Sequence, residues 1–217
     1  MDTSVLIILA LVVVLPIVLT LLFLALYFRR QNSIGRNTQR IITDKGILEL
    51  IHNQPDGFLS TRQLAEKSGL THSEAKSRLL QLRTFGAVKV YFSPGSRAYY
   101  SLTGPVDERP VPKLSAAPFL TVEDILKLFR HFGMRLTPQQ LIMATGLPLN
   151  IIKREIKYFI DQKILQKLSS VSSPYTGVSG ITYILQDPYR SDPDQFLEQQ
   201  LDLDHQMETI LRREDLV

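Results

Sequence analysis

Residues 60–90 read STRQLAEKSGLTHSEAKSRLLQLRTFGAVKV, and this stretch decides the fold that the sequence predicts. Ser60 with Gln63 three residues later forms a capping box, in which each side chain caps the other residue's backbone N–H. Thr71 with Glu74 forms a second capping box shortly afterwards. Because a capping box marks the first turn of a helix, the stretch predicts two helix starts in close succession.

The ends of the two helices are also visible in the sequence. Gly69 lies where the first helix should stop, and Gly86 where the second should stop, because glycine readily adopts the left-handed backbone of a helix C-terminus. Ala75, Leu79 and Leu82 recur at helical spacing between them and predict a buried face. Two short helices joined by a tight, glycine-containing turn are typical of a helix-turn-helix.

Further elements flank this pair. The runs AVKVYF (87–92) and RAYYSLT (97–103) are rich in strand-forming residues and enclose the turn SPGS, which predicts a β-hairpin. Upstream, apolar residues at helical spacing (Ile42, Ile47, Leu48 and Ile51) predict another helix, ending at residues 53–57. The order helix, helix, turn, helix, hairpin resembles a winged-helix domain, from near Thr38 to Thr103.

The resemblance implies that the third helix enters the major groove of DNA and that the hairpin touches the backbone or minor groove. The residues between the core positions of the third helix, and one arginine on the hairpin, are then the candidate DNA-binding residues. They are Thr71, His72, Ser73, Lys76, Ser77, Gln81 and Arg97, with Arg78 and Arg83 flanking. Hydroxyl, amide and ammonium groups can bond to base edges or phosphates. The competing interpretation is a solvated helix face.

The pattern recurs 77 residues later: Thr137 with Gln140 matches Ser60 with Gln63, and Gly146 matches Gly69. The second copy, near 121–186, also resembles a winged helix. Its candidate DNA-binding residues are Asn150, Lys153, Arg154 and Lys157. However, Leu149 is apolar at the start of the reading helix, and the second hairpin tip has no basic residue. The alternative for this copy is therefore that it binds protein or its sister domain instead of DNA.

Val5–Phe28 is a run of 24 residues without a charge. As a helix it would be about 36 Å long, enough to cross a bilayer, and it predicts a single transmembrane helix in contact with lipid. The alternative is a cleaved signal peptide, which needs a basic start and a shorter apolar stretch. Arginines follow the run and none precedes it, which predicts an outer N-terminus and a cytoplasmic body, as in a bacterial inner-membrane protein.

Charge divides the rest of the chain. Of its 217 residues, 25 are Lys or Arg and 21 are Asp or Glu, yet residues 187–217 hold nine acidic and three basic side chains. Residues 105–118 hold four prolines and are typical of a linker. The acidic tail predicts a helix that packs on the body, pairs with another copy, or occupies the basic face in place of DNA. The predicted organisation is an anchor (1–30), winged-helix domains (31–104 and 119–186), the linker, and the tail.

The predicted fold class is therefore mainly α with small β-hairpins (α+β): one transmembrane helix, two winged-helix domains and a C-terminal helix. The chain has no cysteine and none of the usual nucleotide-binding or hydrolase motifs, so we expect neither an enzyme, nor a metal, nor a cofactor. The leading hypothesis is a membrane-anchored protein that binds duplex DNA, with transcription regulation as the suggested role. The alternative is a membrane-tethered scaffold that binds a protein partner, or a second copy of the chain, through domain 2 or the C-terminal helix.

Overall fold

The computed structural model describes residues 17–22, 38–95, 97–115, 119–171, 179–193 and 196. Within these ranges the first copy contains three helices and a hairpin in the predicted order, and a short additional strand, β1 (Leu59–Ser60), that the sequence did not predict. They are α1 (Asp44–His52), β1, α2 (Thr61–Ser68), α3 (His72–Phe85), β2 (Val88–Phe92) and β3 (Ala98–Leu102). The second copy contains α4 (Val122–His131), α5 (Pro138–Thr145), α6 (Leu149–Asp161), β4 (Leu165–Val171) and β5 (Ser179–Leu185).

The capping boxes that the sequence predicts are confirmed. In α2, the Ser60 N–H donates to Gln63 Oε1 at 2.8 Å, and the Gln63 N–H donates back to Ser60 Oγ at 3.3 Å. α3 begins in the same way at Thr71 and Glu74. α2 ends at Gly69 with φ of 77°, a left-handed conformation that a side chain would strain. These short helices are thus delimited by their own sequence.

The two sheets share one pairing pattern. In the first copy the strand order is β1-β3-β2, with Leu59 opposite Tyr100. In the second, β4 pairs with β5, and Leu136 forms an isolated bridge to Tyr183. Leu136 is the counterpart of Leu59 at the spacing of 77 residues. Both tyrosines are buried, so each hairpin is closed onto its helices by an equivalent residue pair.

The two copies pack together. A single apolar cluster contains residues of both, including Leu48 and Leu79 from the first and Ile125 and Ile156 from the second. The buried side chain of Gln139 on α5 accepts from the Gly104 N–H and donates to the Gly104 carbonyl, both at 2.9 Å. A buried amide that is fully hydrogen-bonded fixes the chain that leaves β3 against the second copy.

The membrane prediction requires correction. In the described ranges no helix combines the length and the apolar character needed to cross a membrane. Residues 17–22 are helical, and the remainder of Val5–Phe28 lies outside the described residues. On this finding, the transmembrane helix in the predicted fold class is wrong, and so is the single-pass membrane localisation that depended on it. The described chain is α+β with small antiparallel sheets.

Other predictions fall on residues that the structure does not describe. The turn of the second hairpin lies in 172–178, and most of the predicted C-terminal helix lies in 197–217. The ring of Phe196 lies 4.6 Å from that of Tyr189, and both side chains pack against the apolar core, so the start of the tail contacts the body. The domain boundaries and the assignment to winged helices stay predictions.

Candidate nucleic-acid interface

The first turn of α3 is built by its own cap. The Thr71 hydroxyl donates to Glu74 Oε2 at 2.7 Å, and the Thr71 N–H donates to the same oxygen at 2.9 Å. These bonds lower the pKa of the Glu74 carboxyl, because they stabilise its charged form. The Thr71 hydroxyl is therefore already hydrogen-bonded within the cap, although the side chain is exposed.

Beyond the cap, α3 presents an exposed polar face. His72, Ser73 and Lys76 are all exposed, and their side chains make no hydrogen bond or ion pair with any described residue. Arg83 is exposed further along the helix. These four side chains are exposed, whereas Ala75, Leu79 and Leu82 of the same helix are buried, so the four lie on the solvent side of α3. This side of the helix is the candidate reading face.

Three residues that the sequence places on or beside the reading face do not lie on it in the structure. Ser77 is only 6% exposed, so the expectation that it lies among the accessible side chains of α3 is wrong. Arg78, expected to flank the face, is 1% exposed and lies in the core. Gln81 is half-buried and already interacts with another part of the molecule. The reading face is therefore narrower than the sequence predicts.

The first hairpin adds a cation and two aromatic rings. The hairpin closes where the Ser93 N–H donates to the Arg97 carbonyl at 3.0 Å, and the Arg97 side chain is exposed. Phe92 is 66% and Tyr91 48% exposed. The Tyr91 ring meets the ring of Phe58 edge-on at 5.3 Å, whereas Phe92 projects at the end of β2. The hairpin thus presents a cationic side chain, Arg97, that can bind phosphate, and an aromatic side chain, Phe92, that can make an apolar contact.

The corresponding helix of the second copy starts differently. Pro148 at the N-cap of α6 has no side chain that can cap the helix. Instead, the N–H of Leu149 donates at 2.8 Å to Asp44 Oδ2, which belongs to the first copy. Leu149 itself is 4% exposed. The first turn of α6 is therefore occupied by the first copy.

Asp44 also binds the first copy's own reading helix. Its other oxygen, Oδ1, accepts from Arg78 Nη2 at 2.8 Å, and both side chains are almost completely buried. Arg78 donates in addition to the Ile42 carbonyl at 3.0 Å and to Thr38 Oγ1 at 2.9 Å. Gln39 donates a further short hydrogen bond to Asp44 Oδ2. We call this set (Thr38, Gln39, Ile42, Asp44, Arg78 and the Leu149 N–H) the Asp44 cluster.

The basic residues of α6 are exposed, but two of them are engaged. Lys153 Nζ lies 5.8 Å from the centre of the Phe85 ring of α3. Although Lys153 is exposed overall, partial burial of its side chain lowers its pKa, and the negative charge of Asp44 opposes this effect. Arg154 Nη2 pairs with Glu155 Oε1 at 2.7 Å. Asn150 and Lys157 are exposed and complete the set that the sequence predicts.

The Asp44 cluster was missed at the sequence level, although one signal was present. Arg78 lies three residues after Ala75 and four before Leu82, which places it on the apolar face of α3. An arginine at a core position needs a buried acid partner. The position of Arg78 therefore predicts such a partner, but it does not identify Asp44.

Comparisons with known proteins give no match: no protein-family model matches the chain, and neither does any curated protein. In the described ranges, no group of three or more His, Asp or Glu side chains is arranged to hold a metal ion. The surfaces from which a function can be inferred are those of α3, the first hairpin and α6.

Proposed function

We propose that this chain binds duplex DNA through the reading face of α3 and the first hairpin. The observation that carries the proposal is the exposed start of α3, where His72, Ser73 and Lys76 stand above a satisfied cap and have no partner in the described structure. Side chains of this kind at the start of a helix can reach base edges in a major groove. The predicted winged-helix resemblance favours the same surface.

Charge supports the proposal. Lys76 and Arg83 on α3 and Arg97 on the first hairpin are exposed cations. Each can neutralise one phosphate and release its counterion, and this release is the main source of DNA affinity. The second copy contributes less, because Leu149, the first residue of α6, is buried and bonded to Asp44, and Arg154 is paired with Glu155. The proposal therefore places the principal DNA contacts on the first copy.

The test is a titration of the full-length protein with fluorescent random-sequence duplexes at several salt concentrations. Three phosphate contacts predict a slope of about −2.7 for log K against log salt, so affinity falls about 40-fold between about 50 and 200 mM. Lys76→Glu combined with Arg97→Glu should remove most of the binding. Lys113→Glu is the matched control, since Lys113 is an exposed lysine of the 105–115 segment. Folded protein that binds no duplex at the lowest salt would contradict the proposal.

A second candidate function is protein binding by the first hairpin. It is favoured by one specific observation, the exposure of the large ring of Phe92 next to the exposed Tyr91. Exposed aromatic side chains are enriched at protein interfaces. Phe92→Ser distinguishes the two functions: it should abolish capture of a stoichiometric protein partner from a lysate if the hairpin binds protein. If the hairpin binds DNA through Arg97, the same change should leave most of the salt-dependent affinity intact.

A further inference from the structure

We infer that Asp44 joins the two copies into one unit, so that the chain presents a single reading helix, α3, and uses the start of α6 for docking. The inference rests on the proposed function only where it assigns a role to α3. The docking itself follows from the Asp44 cluster.

The geometry of Asp44 is that of a shared partner. One carboxylate oxygen pairs with Arg78 of α3 at 2.8 Å, and the other accepts from the N–H of Leu149 at the start of α6, also at 2.8 Å. Leu149 is 105 residues away from Asp44 in the chain. A carboxylate at a helix N-terminus is favoured by the helix dipole as well as by the hydrogen bond. One buried side chain thus holds α3 and α6 at the same time.

Contacts further along the interface restrict the same two helices. Lys153 of α6 lies over the Phe85 ring near the end of α3. At Gly86, directly after α3, an added Cβ would approach Ile181 Cδ1 of β5 to 3.0 Å. The end of α3 therefore packs against the second copy without room for another carbon atom. The second copy therefore contacts the end of α3 directly, and it is linked to the middle of α3, at Arg78, through Asp44.

This packing explains why α6 is a poor reading helix. Reading a major groove requires access to the first turn of the helix, where base-contacting residues stand. In the first turn of α6, Leu149 is buried and its N–H is bonded to Asp44, so Asn150 alone of that turn is fully exposed. In α3 the same turn is open at His72 and Ser73. The repeated sequence pattern therefore yields two different roles, one for reading and one for positioning.

The docking can be measured without DNA. The chain has no cysteine, so Asn53→Cys and Gln162→Cys place one spin label on an exposed position of each copy. In otherwise unchanged full-length protein we expect one narrow distance distribution by double electron–electron resonance. Asp44→Asn should broaden or shift it, whereas Asp161→Asn, an exposed acid at the end of α6, should leave it unchanged.

A second pair of variants tests the hydrogen bond and keeps the Asp44–Arg78 ion pair. Leu149→Pro removes the N–H and places a ring carbon against the Asp44 carboxylate, at a helix position that accepts proline. Leu149→Ala truncates the same side chain but retains the N–H. We expect Leu149→Pro to broaden the distance distribution much more than Leu149→Ala does. Equal effects of the two variants, or an unchanged distribution in both Leu149→Pro and Asp44→Asn, would overturn the inference.

DNA binding supplies the remaining test, that of a single reading helix. Lys76→Glu on α3 should weaken binding more than about tenfold, and Lys157→Glu on α6 less than about threefold, because only the first lies on the reading face. Equal losses would show that both helices read DNA and would overturn the inference. If unaltered protein binds no DNA, the proposed function fails, and the distance distributions alone decide whether Asp44 joins the copies.

Discussion

Replacing Arg78 with methionine tests whether the Asp44 cluster holds the fold together. Methionine is long and flexible enough to fill much of the space that the arginine stem occupies. It cannot donate the hydrogen bonds that Arg78 makes to Asp44 at 2.8 Å and to the Ile42 carbonyl at 3.0 Å. The Asp44 carboxylate, 2% exposed, would then lose its buried counterion.

The expected cost follows from burial. Removing one member of a buried ion pair destabilises a protein by about 3–5 kcal/mol, mostly because the other charge is left uncompensated. For a folded unit of this size, each kcal/mol lowers the melting temperature by about 2–4 °C. Arg78→Met should therefore lower it by about 6–20 °C. Since total stabilities are about 5–15 kcal/mol, the loss is a large part of what is available.

The measurement is urea unfolding followed by far-ultraviolet circular dichroism. Arg62→Met is the matched control, because Arg62 also pairs with an acid, Glu66, at 2.8 Å, but both side chains are largely exposed. That pair should contribute less than about 1 kcal/mol. If Arg78→Met and Arg62→Met lower the free energy of unfolding equally, then burial of the Asp44 cluster does not matter for stability.

Two further predictions concern the interface and the second sheet. Gly69 and Gly86 both have positive φ, but only a Cβ at Gly86 would meet Ile181, at 3.0 Å. In the same urea assay Gly69→Ala should cost about 1 kcal/mol and Gly86→Ala about 1–3 kcal/mol more; truncating Ile181 to alanine should reduce that difference, because only its Cβ, at 3.3 Å, would remain near the added carbon. Burial raises the pKa of Tyr183 from 10.0 to about 12. Its folded-state pKa is thus above the unfolded value, so its contribution to stability is complete below pH 10 and is lost as pH rises towards about 12. Tyr183→Phe should flatten the fall in unfolding free energy between pH 10 and about pH 12. An unchanged pH profile would contradict the raised pKa of Tyr183.

Most of the secondary structure could be predicted because its determinants are local. The capping boxes at Ser60 and Thr71 satisfy backbone N–H groups within three residues, and Gly69 ends α2 through its own backbone freedom. The 77-residue repeat then predicts the second copy from the first. The membrane prediction depended on the length and apolar character of residues 5–28 and on the arginines that follow them, and the described helices include none that could span a bilayer.

The candidate site was only partly predictable. Lys76 and Arg97 are exposed as the pattern indicates, whereas Ser77 and Arg78 face the core. The rotation of a helix about its axis is set by what packs against it, and Arg78 turns inward because Asp44, 34 residues earlier, lies there. A first-turn acid such as Asp44 is also explained by the helix dipole of α1 alone, so nothing in its immediate sequence indicates a distant partner.

The starts of α3 and α6 differ although the two helices occupy equivalent places in the repeat. At the start of α3, Thr71 caps the helix from within, so the turn needs no external partner and stays open. At the start of α6, Pro148 has no side-chain acceptor, and the N–H of Leu149 must be satisfied elsewhere if it is to be buried. Asp44 provides that acceptor, and the resulting hydrogen bond joins the second copy to the first. The missing cap thus leaves an N–H that the first copy satisfies, and on the DNA-binding proposal we expect α3 to make the main contacts.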